Sequence, residues 1–225
     1  MNVKALADFA NFIRFIKKSK PKAKNSPIIL FGGSYGGMLA FWHRLKYPFL
    51  SAGALASSAP ILLFSNRYDC NSYDNQVTNN FDGYSRDCSH SIQNSWTALR
   101  QLLKTKDGRE WLYKTFHLCK PLTEKDQDTF IWWIADTWRN LAMVDYANPA
   151  NFIANLPAYP IGEVCEHLDQ PDAPGKQLAQ KVYQAISVYY NYTGELKCNN
   201  ITYDLQSELG PAWDFQVNNH DQLNI

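Results

Sequence analysis

No stretch of the 225 residues stays apolar long enough to span a bilayer, so no transmembrane helix and no membrane partner is expected. Met1 to Ile16 alternates apolar and polar residues instead of forming a continuous apolar run, which argues against a secretory signal peptide there. Charge of one sign is not in excess. Twenty-two Lys and Arg face 21 Asp and Glu, and the net +1 gives no reason to expect nucleic acid or an acidic substrate. The five cysteines, Cys70, Cys88, Cys119, Cys165 and Cys198, are widely spaced and include no C-x-x-C pair. That argues against zinc or a dithiol redox motif, and neither a metal nor another cofactor is expected. Internal repeats and low-complexity segments are also missing.

What is present is the composition of an ordinary folded protein, 45% hydrophobic and 19% charged. Aromatics are plentiful, with 7 Trp, 13 Tyr and 12 Phe, which fits either core packing or a ring-lined pocket or cap. Lys17, Lys18, Lys20, Lys22 and Lys24 crowd one short connection, read as a solvated loop before a buried strand. Two N-glycosylation sequons, Asn191-Tyr192-Thr193 and Asn200-Ile201-Thr202, flank Cys198. Sequons beside spaced cysteines favour an oxidising, secretory-pathway setting. A secretory-type chain without a signal peptide leads to the expectation that its natural beginning is absent.

The most informative stretch is Pro27 to Pro60. An apolar run, Pro27 to Phe31, ends in Gly32-Gly33-Ser34-Tyr35-Gly36-Gly37, and an amphipathic run follows at once. This is G-x-S-x-G between a strand and a helix, the context in which that motif presents a serine nucleophile. Residues without a Cβ on either side allow strand and helix to approach closely around a strained turn. Ser34 is therefore the candidate nucleophile. The amide of Tyr35, at the helix start, is the candidate oxyanion donor.

Around this turn the pattern predicts a helix over 3–18 with Phe12 and Phe15 widening its apolar stripe, a strand over 27–31, and a helix from Tyr35 closed by Tyr47-Pro48. A second parallel strand is predicted within 52–59. That succession is a unit of a doubly wound α/β sheet. From about Phe64 to Asp87 the sequence is rich in Asn, Asp, Ser and Tyr and reads as loop. Helices are then predicted over 89–103, 107–118 and 123–144, with Thr123 as the cap of the last. The rings Phe130, Trp132, Trp133 and Trp138 suggest that this helix is buried on two sides. Residues 148–160 read as irregular, 161–168 as a short helix, and 176–190 as a helix after the turn at Pro171–Gly175.

Gly32 to Ala40, with Lys46-Tyr47-Pro48 and Gly53 to Pro60, resembles the serine carboxypeptidase S28 family. Thr137 to Tyr146, Leu156 to Pro160 and Tyr189 to Gly194 extend the resemblance over nearly the whole chain, about Leu6 to Gln216. The resemblance implies a partial α/β-hydrolase core at 1–63, a mainly helical cap inserted at 64–216, and a divergent tail at 217–225, the chain as a whole reading as a fragment. It implies a serine exopeptidase of the Pro-X carboxypeptidase type, acting on peptides with a penultimate proline through an acyl-enzyme on Ser34. A dipeptidyl peptidase of the same family is the alternative, and an esterase or lipase a weaker one. Met38 matches a residue lining the pocket for the proline ring. Disulfides Cys88–Cys165 and Cys119–Cys198 are implied, with Cys70 left unpaired; free thiols or another pairing order are the alternatives. Lysosomal or secreted localisation and a homodimer are implied as well, with glycosylation at Asn191 and Asn200.

In this architecture the triad Asp and His follow the cap, and neither is identified in the chain. Of the five histidines, His43 falls on the helix after the elbow, His90 beside Cys88, His117 and His167 in the cap, and His220 in the tail. Each reads as structural or surface. A chain without a base would be catalytically inactive, as a truncated isoform or an incomplete gene product would be.

Overall fold

A computed structural model describes residues 2–62, 69 and 71–202, and these fall into two units. The first holds the described residues up to Asp69, the second those from Asn71 onward, a little beyond the composition shift at Phe64. The expectations for Cys70, for His220 and for the tail 217–225 lie outside the described residues.

The first unit opens with α1 (Asn2–Ser19), then strand β1 (Ile29–Gly33), helix α2 (Tyr35–Lys46) and strand β2 (Gly53–Ser57). β1 and β2 pair in parallel, Ile29 opposite Gly53 through Gly33 opposite Ser57, with α2 as the crossover. α2 stops at Tyr47, because Pro48 disfavours helical backbone in the residue before it. Leu6 of α1 packs with Met38 and Trp42 of α2 in a small core.

Two expectations for this unit are corrected. α1 buries Leu6, Ala10 and Ile13, at spacings of four and three, while Phe9, Phe12 and Phe15 are exposed. The apolar stripe is wider than the surface of α2 that meets it. β1 is likewise not buried: Phe31 is 74% exposed and Ile29 49%. Among the described residues β1 and β2 pair only with each other, so helix packing covers part of a sheet whose other surfaces face solvent.

The second unit is helical: α3 (Ser72–Tyr84), α4 (Arg86–Lys104), α5 (Lys106–Thr115), α6 (Gln127–Met143), α7 (Pro160–His167) and α8 (Gly175–Tyr190). Local chemistry sets the starts. Ser85 caps α4 by accepting the Cys88 amide, and Thr105 caps α5 by accepting the Gly108 amide at 3.0 Å. Thr123 and Asp126 form a reciprocal capping box on a 3₁₀ turn that leads into α6. Pro160 occupies the first turn of α7, and Asp145 Oδ1 accepts the next amide, that of Ile161, at 3.1 Å.

These helices bury one core. Phe116 meets Phe130 and Trp133 edge to face, and Leu99, Leu112, Ile134, Leu141, Val164 and Val182 fill around them. Two disulfides cross it: Cys88–Cys165 joins α4 to α7, and Cys119–Cys198 joins the segment after α5 to the segment after α8.

Ser72–Tyr84, expected as loop, is helical because Phe81 is fully buried edge-on to Trp138, with ring centroids 5.8 Å apart. The 148–160 region contains a minimal antiparallel pair, β3 (Ala150–Asn151) with β4 (Asn155–Leu156). On α6, Phe130, Trp133 and Trp138 are buried as expected, but Trp132 is 57% exposed.

Candidate functional site

The site is built where β1 turns into α2. Ser34 adopts φ 54° and ψ −125°, a backbone conformation that non-glycine residues rarely hold. Two hydrogen bonds pin it. Its amide donates to the Ser57 carbonyl at 3.0 Å, extending the β1–β2 ladder by one residue. Its carbonyl accepts the Met38 amide at 3.1 Å, which begins the α2 hydrogen-bond series. Ser34 thus belongs to the sheet through its N–H and to the helix through its C=O, and it lies exposed at the strand's carboxyl end.

Contact, more than conformation, dictates the glycines. A Cβ on Gly32 would run into the backbone of Gly36, and one on Gly37 would stand 2.9 Å from the Ser57 carbonyl and 3.0 Å from Ala59 Cβ. Gly33 and Gly36 would meet nothing within 4 Å. The expectation that glycines flank the serine because strand and helix approach closely thus rests on Gly32 and Gly37. Gly37 lies outside the five-residue motif, so the motif alone did not single it out. The doubled Gly36-Gly37 was the available signal.

Tyr35 opens α2, where the positive end of the helix dipole lies. Met38 is 1% exposed, one turn beyond Ser34, packed against Leu6 and Trp42. His43 lies on the same helix, buried to 1% exposure, and neither ring nitrogen has a hydrogen-bond partner. Burial pushes its pKa below the ordinary histidine value, so the ring is a neutral imidazole without a hydrogen-bond partner, lying 5.1 Å from the Tyr47 ring.

The remaining described histidines belong to the second unit. His90 is exposed on α4, the His117 ring lies 5.4 Å from that of Tyr183, and His167 closes α7. Among the described residues no group of three His, Cys, Asp or Glu side chains could hold a metal, and no helix is long and apolar enough to cross a membrane.

Comparison with known proteins decides the family. Residues 2–220 match the serine carboxypeptidase S28 family. The chain belongs to that family. It is 47% identical over 214 residues to lysosomal Pro-X carboxypeptidase of Homo sapiens, and equally to that of Pongo abelii, in each case over 95% of this chain and 43% of the relative. It is 37% identical over 227 residues to prolyl carboxy peptidase like protein 5 of Caenorhabditis elegans, covering 95% of this chain and 44% of that protein. This S28 chain therefore spans less than half the length of the relatives it matches. A serine peptidase family and a serine held in a strained strand–helix turn are mutually consistent.

Proposed function

We propose that the chain carries the nucleophile of a serine exopeptidase of the Pro-X carboxypeptidase type. The observation that carries this is the backbone of Ser34, held at a positive φ by Ser57 on one side and Met38 on the other. In this reading the first unit is the nucleophile-elbow part of an α/β-hydrolase core and the second is its cap. Ser34 Oγ attacks the carbonyl of the penultimate proline, and the C-terminal residue leaves as the acyl-enzyme forms. The Tyr35 amide and the dipole of α2 stabilise the oxyanion. Met38 lines the pocket for the proline ring. In this reading the aspartate and histidine that activate the serine are supplied by residues not in this chain. Localisation is lysosomal or secreted, assembly is as a homodimer, and Asn191 and Asn200 are glycosylated.

A fluorophosphonate probe tests the nucleophile. Labelling of the full chain at Ser34, lost in Ser34→Ala, supports an assembled site. Release of the last residue from a peptide with a penultimate proline, without release of an N-terminal dipeptide, separates carboxypeptidase from dipeptidyl peptidase.

A second reading has its own observation. His43 is the only described histidine of the first unit, and its ring nitrogens are buried without partners. With no base on Ser34 the serine is an ordinary alcohol, and the chain by itself is catalytically silent. Absence of labelling in a folded chain, judged by circular dichroism, selects this reading.

A further inference from the structure

Between α6 and the end of α8 the second unit contains a cavity of about 780 Å³. One face of α6 supplies Thr129, Trp132, Trp133, Asp136 and Asn140, and α8 adds Tyr189 and Tyr190. Trp133 and Tyr190 are tied together: their rings stack at 4.7 Å, and the Tyr190 hydroxyl donates to the Trp133 carbonyl at 3.0 Å. Trp132 keeps more than half its surface open, with the Arg139 guanidinium 5.0 Å from its ring centroid. The rest of the lining includes both complete sequons, Asn191 to Thr193 and Asn200 to Thr202.

Sugars present flat C–H faces and polar edges, and an N-acetyl group adds one amide donor and one acceptor. Aromatic walls with a few fixed polar groups, here Asp136, Asn140 and Asn155, match that chemistry. The second sequon is the better anchored. Its neighbour Cys198 is in a disulfide, and Asn199 donates to the His117 and Phe116 carbonyls and accepts from the Cys119 amide. Asn200 Oδ1 accepts from the Thr202 amide at 3.2 Å and from its hydroxyl at 2.8 Å. The side-chain nitrogen is the atom that an N-linked sugar uses. In that transfer the anomeric carbon bonds to Nδ2, its bond to the diphosphate of an oligosaccharyl diphosphate donor breaks, and one amide proton leaves. Both Oδ1 hydrogen bonds survive.

We propose that the first N-acetylglucosamine residues of a glycan on Asn200 occupy this cavity and stack on Trp132, so that the sugar completes the packing of the helical unit. The inference rests on the glycosylation reading above.

The test uses the full chain, secreted from a eukaryotic host, with Trp132→Ala, Trp132→Phe, Asn191→Gln and Asn200→Gln singly and combined. Peptide N-glycosidase and mass spectrometry establish which asparagine carries sugar, and thermal unfolding reads the coupling. Trp132→Ala is expected to lower the midpoint by about 2–4 °C when Asn200 is glycosylated and to change little on the Asn200→Gln background, a non-additive pair. Trp132→Phe, which keeps a ring, retains most of the coupling, and Asn191→Gln leaves it intact. Sugar on Asn200 with equal Trp132→Ala shifts on both backgrounds overturns the seating and leaves the glycosylation reading standing. Coupling that follows Asn191 instead overturns the assignment to Asn200. Absence of sugar from Asn200 overturns the inference and that part of the reading together.

Discussion

Ser34, Gly37 and Ser57 form one small device at the residue scale. The Ser57 carbonyl accepts the Ser34 amide and is also the atom a Gly37 side chain would strike, so a single oxygen fixes the turn from both sides. Gly37→Ala is expected to destabilise the first unit by about 1–3 kcal/mol through overpacking. Gly33→Ala, with open space around the new methyl, should stay within about 0.5 kcal/mol. Urea unfolding of the two variants checks the contrast, and equal effects would refute the contact argument.

His43 provides a pH prediction at the same scale. Its folded pKa is depressed by burial, whereas the unfolded chain titrates near the ordinary value of about 6.5. The unfolded state therefore binds the extra proton first, and the stability attached to the neutral ring is present above pH about 6.5 and lost as pH falls below it. The slope approaches about 1.4 kcal/mol per pH unit until the folded ring also protonates. His43→Leu should remove this component, read as a smaller difference in unfolding midpoint between pH 7.5 and 5.5.

Element by element, helix ends follow local chemistry and helix existence does not always do so. The Thr123 cap was legible in the sequence, and the structure extends it to a box, with the Thr123 amide 2.7 Å from Asp126 Oδ2. Hydrogen bonds from Thr123 hold the Asp126 carboxyl below its usual pKa. Thr123→Ala should cost about 1 kcal/mol of stability, measured by chemical unfolding.

α3 behaves in the opposite way. Its sequence, SYDNQVTNNFDGY, is poor in helix formers and offers only Val77 and Phe81 as a helical apolar pair. Partners from elsewhere make it a helix. Phe81 packs on Trp138, Arg139 bridges to Asp74 at 3.0 Å, and Asn80 donates to the Ala142 carbonyl. Phe81→Ala should cost about 3–5 kcal/mol and reduce the helical signal, visible by circular dichroism during urea titration.

For the whole molecule, the two units differ in completeness. The helical unit buries a continuous core and closes it with two disulfides spanning sequence separations of 77 and 79. Each bridge should contribute about 2–4 kcal/mol, mainly by restricting the unfolded chain. Cys88 is fully buried, whereas Cys119 is exposed. Mild thiol treatment should therefore reduce Cys119–Cys198 first, followed by alkylation and mass spectrometry. Among the described residues the first unit has a small core, the cluster of Leu6, Met38 and Trp42 with Ala10 and Ile13 also buried, and it leaves Phe31 and Phe12 exposed. Residues 71–202 expressed alone should fold cooperatively to a helical, disulfide-bonded domain. Residues 1–69 alone should not.

The sequence by itself determined the elbow, the family and the Thr123 cap, because each depends on residues adjacent in the chain. G-x-S-x-G between an apolar run and an amphipathic one specifies its turn locally, and a Thr with an Asp three residues on specifies a cap. The pairing of Cys88 with Cys165 and of Cys119 with Cys198 was implied by family resemblance, and the structure forms both. Only the tertiary structure decided that Ser72–Tyr84 is a helix, that Gly37 and not Gly36 bears the close contact, that His43 is buried without a hydrogen-bond partner, and that Trp132 faces a cavity bordered by two sequons. Each of these depends on atoms distant in sequence, and burial, contact and cavities exist only once the chain has folded.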